Sequence, residues 1–169
     1  MSTAHARPWH GSAPAQVVVV GIHPEQDLRV LAAASDLAQR LGTGLVGVWV
    51  DPSRVVVGHE PDGSLDLTPL DPDGDDVLGQ VPAADDLEAR LAQHVPPTVP
   101  WRFVYTAGEV APALAAVAGE YDGELVVVGS RRPGLAGWMN EAIGGSVAGR
   151  LAHTQPLPVV VVPLPGDRR

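Results

Sequence analysis

The chain contains no cysteine and no lysine. Without cysteine there is no disulfide, no thiolate metal ligand and no thiol nucleophile. Without lysine there is no P-loop amine and no Schiff base; all eleven basic side chains are arginine. Aromatic residues make up only 4%, so a core has to be assembled from Val, Leu and Ala. Positive charge is also scarce, at 11 basic against 20 acidic residues and a net charge of -9. Such a chain lacks the basic clusters that neutralise nucleic-acid phosphates, and an anionic membrane surface repels it. No run approaches the roughly 20 apolar residues that span a bilayer. The first fifteen residues hold His5, Arg7 and Pro8 without the apolar stretch of a signal peptide. The expectation is a cytoplasmic protein that binds neither nucleic acid nor membrane. A disordered lead-in over residues 1–15 precedes one domain over 16–164, and a tail over 165–169 follows.

What is abundant points to alternating strands and helices. Val17, Val18, Val19 and Val20, closed by Gly21, form a β-branched run of the kind buried in a parallel sheet. Helical spacing follows in Leu28, Leu31, Ala32, Leu37, Ala38 and Leu41, with Gly42 where a C-cap glycine belongs. A second strand over residues 45–50 ends at Asp51-Pro52. Residues 51–80 are rich in Asp, Pro and Gly and predict a long acidic loop, with short extended pieces around Val55 to Val57 and Leu65 to Leu67. A helix over 85–94, a strand over 101–105, a helix opening at Gly108-Glu109 and a strand over 125–128 come next. A helix over 146–153 and a last strand over 159–162 complete the order. Alternation of this kind implies a single doubly wound α/β domain with a parallel sheet, helices on both faces and right-handed crossovers.

In such folds ligands bind beyond the carboxyl ends of the strands. Three ends reach that rim: Val20-Gly21, Val50-Asp51 and Val128-Gly129. After the last come Ser130, Arg131, Arg132, Pro133 and Gly134, and then Gly144-Gly145-Ser146-Val147 at the start of the final helix. Glycines let backbone N–H groups approach an anion, and a helix N-terminus adds donors and partial positive charge. Arg131 offers a fork suited to phosphate. Ser146 fits either an N-cap or a hydroxyl donor to a phosphate oxygen. The same glycines also suit a plain turn and helix start, and spacing alone does not separate the two readings. Asp51 fits a ribose hydroxyl or magnesium, and equally an Asp-Pro turn. His23 lies just past the first strand, as a ligand contact or a capping residue. No His pair has the His-x3-His metal-ligand spacing, and Gly-x-Ser-x-Gly is absent.

Residues 125–163 resemble the C-terminal signature of the universal stress protein family. The resemblance rests on Val128-Gly129-Ser130-Arg131, Gly144-Gly145-Ser146-Val147, Leu151-Ala152-His153 and the strand bounded by Pro158 and Pro163. The strand from Val17, the helix to Leu41-Gly42 and the strand ending Trp49-Val50-Asp51-Pro52 are similar to the family's first βαβ unit. The resemblance implies a five-stranded parallel sheet in order 3-2-1-4-5 and a homodimer formed through the last strand. It also implies a regulatory module of stress responses without strong catalysis. A subset of the family binds ATP through Gly-x2-Gly-x9-Gly-Ser/Thr, which implies an adenine nucleotide, ATP or a relative, with or without magnesium. The nucleotide-facing positions are then Gly21, Val50, Asp51, Val128, Gly129, Ser130, Arg131, Gly134, Gly144, Gly145, Ser146 and Val147.

The sequence departs from that ATP pattern. Arg132 stands where the second glycine is due, and the stretch from Gly129 to Gly145-Ser146 is longer than the motif. Gly21 replaces the aspartate that ends the first strand of ATP-binding members. Two other readings therefore stand beside nucleotide binding: a dimeric interaction domain that binds no nucleotide and, ranked last, a nucleotide hydrolase or transferase. The last has no well-placed general base and no lysine for phosphoryl transfer.

Overall fold

The computed structural model describes residues 4–60, 64–71, 80–130 and 146–164. Its elements in chain order are β1 (Ala4–Ala6), β2 (Val17–Gly21), α1 (Leu28–Leu41), β3 (Gly44–Asp51), β4 (Arg54–His59) and β5 (Leu65–Pro69). There follow α2 (Gln80–His94), β6 (Trp101–Ala107), α3 (Val110–Glu120), β7 (Gly123–Gly129), α4 (Val147–Thr154) and β8 (Val159–Val162).

The valine runs do what β-branched residues do best, packing on a pleated surface covered from both sides. Side chains alternate between two cores. Val18, Val20, Leu45, Trp49, Phe103 and Val127 face α1 and α2, meeting Leu31, Ala34, Leu87 and Leu91. Val17, Val19, Val46, Val48, Val50, Val126 and Val128 face α3 and α4, meeting Leu114, Val117 and Leu151. Helix α1 begins at Asp27, whose carboxylate accepts the Arg29 N–H at 2.9 Å, and ends at Gly42, which adopts a left-handed φ of 70° open to glycine without strain.

Two expectations are corrected. Among the described residues the sheet has six strands rather than five, and its order is β1-β6-β3-β2-β7-β8. The added strand is β1, antiparallel to β6 with Ala4 opposite Thr106 and Ala6 opposite Val104. Set β1 aside and the parallel members β6-β3-β2-β7-β8 follow 3-2-1-4-5 counted among themselves. The second correction concerns the lead-in: residues 4–10 belong to the fold. His10 and Trp101 bridge through paired backbone hydrogen bonds of 2.8 and 3.0 Å. Backbone pairing with β6 supplies the order that a segment without apolar periodicity does not announce by itself.

The acidic stretch divides. Its described part is a hairpin, β4 antiparallel to β5, which includes the extended pieces expected around Val55 and Leu65. Helix α2 begins at Gln80, ahead of the Asp85 start read from spacing.

Candidate functional site

Strands β2 and β7 are parallel neighbours at the middle of the sheet. The helix after β2 crosses one face and the helix after β7 crosses the other. Connections that part in this way leave a crevice beyond the strand ends. A cavity of about 310 Å³ opens there. Its floor is apolar: Val48 and Val50 from β3, Val128 from β7 and Leu114 from α3. Gly21 and Gly129, ending β2 and β7, line it without side chains. A Cβ on Gly21 would stand 3.2 Å from Leu114 Cδ1, so glycine lets α3 press against the end of β2.

The lip is polar. Residues His23, Glu25, Gln26 and Asp27 lead into α1. Gln26 Nε2 donates to the Gly21 carbonyl at 3.1 Å, folding this turn back onto β2. On the other side Ser130 N–H donates to the Val162 carbonyl at 2.8 Å, and Ser130 Oγ accepts from Leu164 N–H at 2.7 Å. These bonds tie the exit of β7 to the exit of β8, and Leu164 and Val161 complete that wall. Ser146 Oγ accepts the Gly149 N–H at 3.1 Å as the N-cap of α4. A hydroxyl that accepts one bond keeps its proton to donate. The N-terminal turns of α3 and α4 both reach the cavity, through Val110 and through Val147 and Ala148. An Arg150–Glu109 ion pair fastens them together.

The structure brings together seven of the expected site residues, Gly21, Val50, Val128, Gly129, Ser130, Ser146 and Val147, and adds His23. Arg131, Gly134, Gly144 and Gly145 lie outside the described residues. Asp51 is not among the lining residues. Side chains alternate along a strand, so Val50 toward the cavity sends Asp51 to the opposite face, that of Trp49. There Asp51 is 4% exposed. Its Oδ1 accepts from Ser53 N–H at 2.9 Å and from Ser53 Oγ–H at 2.6 Å. Its Oδ2 accepts from Tyr105 O–H at 3.2 Å and lies 3.7 Å from Arg54 Nε. The carboxylate anchors the hairpin instead of meeting a ligand. Sequence reading missed Gln26 and Leu164 as cleft residues. Neither sits in a motif, and only the return of the chain to the rim places them there.

The Asp51 cluster carries a pH signature. Burial pushes the Tyr105 hydroxyl well above its ordinary value of 10.0, and the neighbouring Asp51 charge and hydrogen bond push it further. The unfolded chain gives up this proton first. Stability from this group is therefore intact below about pH 10 and falls as pH rises past it, until the folded phenol ionises too. In a spectrophotometric alkaline titration, Asp51→Asn is expected to lower the folded Tyr105 ionisation. An unchanged titration would count against the Asp51 contact.

The family model of the universal stress proteins matches residues 14–163. The chain belongs to the universal stress protein family. Among solved structures its fold is similar to that of a universal stress protein in complex with cAMP, at 20% identity and a TM-score of 0.57. That match covers 89% of this chain and 98% of the other. It is also similar to the Archaeoglobus fulgidus universal stress protein in complex with dAMP, at 17% identity, 87% and 97% coverage and a TM-score of 0.55. The universal stress protein UspA from Lactobacillus plantarum is 18% identical over 89% of this chain and 99% of its own, with a TM-score of 0.54. No curated protein matches the chain. Among the described residues of this universal stress protein no helix is long and apolar enough to cross a membrane, and no three His, Asp or Glu residues converge as metal ligands.

Proposed function

We propose that this universal stress protein is a non-catalytic regulatory module of a cytoplasmic stress response that binds an adenine nucleotide weakly, ATP or a relative. The observation that carries this reading is the cavity of about 310 Å³ at the parting of β2 and β7. It falls at the lower end of the roughly 300–1,000 Å³ usual for small-molecule sites. An apolar floor suits a base, while the Ser146 hydroxyl and the N-terminal turn of α4 suit a phosphate. Solved relatives in complex with cAMP and dAMP add support. Magnesium would enter with the nucleotide; Glu25 and Asp27, rather than Asp51, are the described carboxylates that line the cleft. The protein works as a homodimer paired through β8, the open edge of the sheet, where Val161 is 45% exposed.

Calorimetric titration with ATP, ADP, AMP and cyclic AMP, with and without magnesium, tests the ligand. Saturable heat is expected for at least one of them. At a hundred times its dissociation constant that nucleotide adds about 2.7 kcal/mol to stability. No heat and no stabilisation at millimolar nucleotide would retire the reading. The second reading, a dimeric interaction domain without nucleotide, would then take its place. It is favoured by Leu114 pressing on Gly21, where ATP-binding members carry a carboxylate. Steady phosphate release would instead make the protein a nucleotide hydrolase or transferase.

A further inference from the structure

The sheet edge opposite β8 is filled by the protein's own N-terminal segment, and the fit is that of a peptide in a recognition groove. Backbone pairing sets the register: Arg7 N–H donates to the Phe103 carbonyl at 2.9 Å, and Arg102 Nε and Nη2 reach the Arg7 carbonyl at 3.0 and 2.6 Å. Side chains then read three positions. The Arg7 guanidinium meets Asp85 at 2.9 Å and Glu88 at 3.6 Å, both on α2. Trp9 turns to the other side, edge-on to Tyr121, and the Arg102 guanidinium lies about 5 Å from both rings. His10 stacks flat on Trp101, with ring centroids 3.8 Å apart. Main-chain pairing for affinity and alternating side-chain pockets for specificity are the features of strand addition.

We propose that the β6 edge is a docking groove for an extended segment, and that residues 4–10 of a second copy enter it in exchange for the protein's own. The chemistry of the occupant is fixed by the contacts above: an arginine followed, two and three residues later, by tryptophan and histidine. The side chains of Arg7 and His10 are 36% and 50% exposed, whereas Ala4, Ala6 and Trp9 pack against the margin of the second core, so an exchanged segment has to restore those same contacts in the second copy. Its connection to β2 is short, residues 11–16, and holds Gly11 at a left-handed φ of 95°. Short hinges of this kind invite exchange of an end segment between copies. A tethered segment competes at high effective concentration, so exchange grows with protein concentration.

The absence of cysteine supplies the test. Ala4 and Thr106 face each other across the β1–β6 pair. Full-length Ala4→Cys and Thr106→Cys proteins are prepared separately, mixed and equilibrated with a glutathione redox buffer. Only docking in trans brings the two thiols together. In an equimolar mixture a covalent heterodimer exceeding the two homodimers together, the limit for random pairing, and increasing with concentration is expected, and Trp9→Ala in the Ala4→Cys chain should cut it by about tenfold. Heterodimer no more abundant than the two homodimers together overturns the proposal. Should either cysteine variant fail to fold, a labelled peptide of residues 2–12 decides on the same terms. It should bind full-length Trp9→Ala more tightly than the intact protein, whose groove is filled in cis. A scrambled peptide binding equally well, or no saturation at millimolar peptide, overturns it.

Discussion

Replacing Asp51 with alanine is expected to lower the unfolding free energy by about 3 kcal/mol, the lower end for breaking a buried ion pair. For a chain of this size that corresponds to a fall in Tm of about 6–12 °C. The cost arises because Arg54, with a side chain 13% exposed, loses its carboxylate, while Ser53 and Tyr105 lose their acceptor. The hairpin of β4 and β5 feels it first, since a two-stranded pair is marginal when left to itself. Asparagine keeps an acceptor oxygen and should recover part of the loss. Thermal denaturation measures the whole effect, and limited proteolysis should show faster cleavage within residues 54–69. A fall of less than about 2 °C in the alanine variant would mean that the cluster is not the anchor described above.

Filling the cleft should be as damaging to ligand binding as the loss of Asp51 is to folding. Ala148 stands on the first turn of α4, half-buried at the cavity wall. An indole there would project into a space of only about 310 Å³ and compete with a base for the apolar floor. Ala148→Trp is therefore expected to weaken the proposed nucleotide binding by about a hundredfold, or about 2.7 kcal/mol. Ala148 also packs at the margin of the second core, so the effect on folding has to be measured beside the effect on binding. Calorimetry and a melting curve on the same sample separate the two effects. Undiminished affinity in a folded Ala148→Trp protein would place the nucleotide elsewhere.

The parts of this architecture that were legible in the sequence are those governed by local pattern. The valine runs announce β2, β7 and β8, the spacing from Leu28 to Leu41 with Gly42 announces α1 and its end, and Ser146 announces the start of α4. Strand β1 was not legible. Ala4, His5 and Ala6 carry no period, and their order comes from a partner about a hundred residues away. The site divided in the same manner. Strand-end residues Gly21, Val50, Val128 and Gly129 were readable because a doubly wound sheet dictates where they go. Asp51 was open to two readings, a ligand contact or an Asp-Pro turn; a carboxylate next to a residue facing one core must face the other, and there it accepts the Ser53 N–H of the turn. Gln26 and Leu164 reach the cleft through turns whose paths no periodicity encodes.

Among the described residues, the unequal division of aromatic side chains between the two cores gives the two buried indoles a one-sided view of the sheet. Trp49, Trp101, Phe103 and Tyr105 all lie on the side of α1 and α2, and Trp49 and Tyr105 meet at a tilt of 57° with centroids 5.0 Å apart. The opposite core, above which the cleft opens, is built around aliphatic residues, with Trp9 and Tyr121 at its margin. Emission from the buried indoles of Trp49 and Trp101 will therefore follow the melting of one side of the sheet. A molecule settling into the cleft on the other side will leave those two reporters nearly dark.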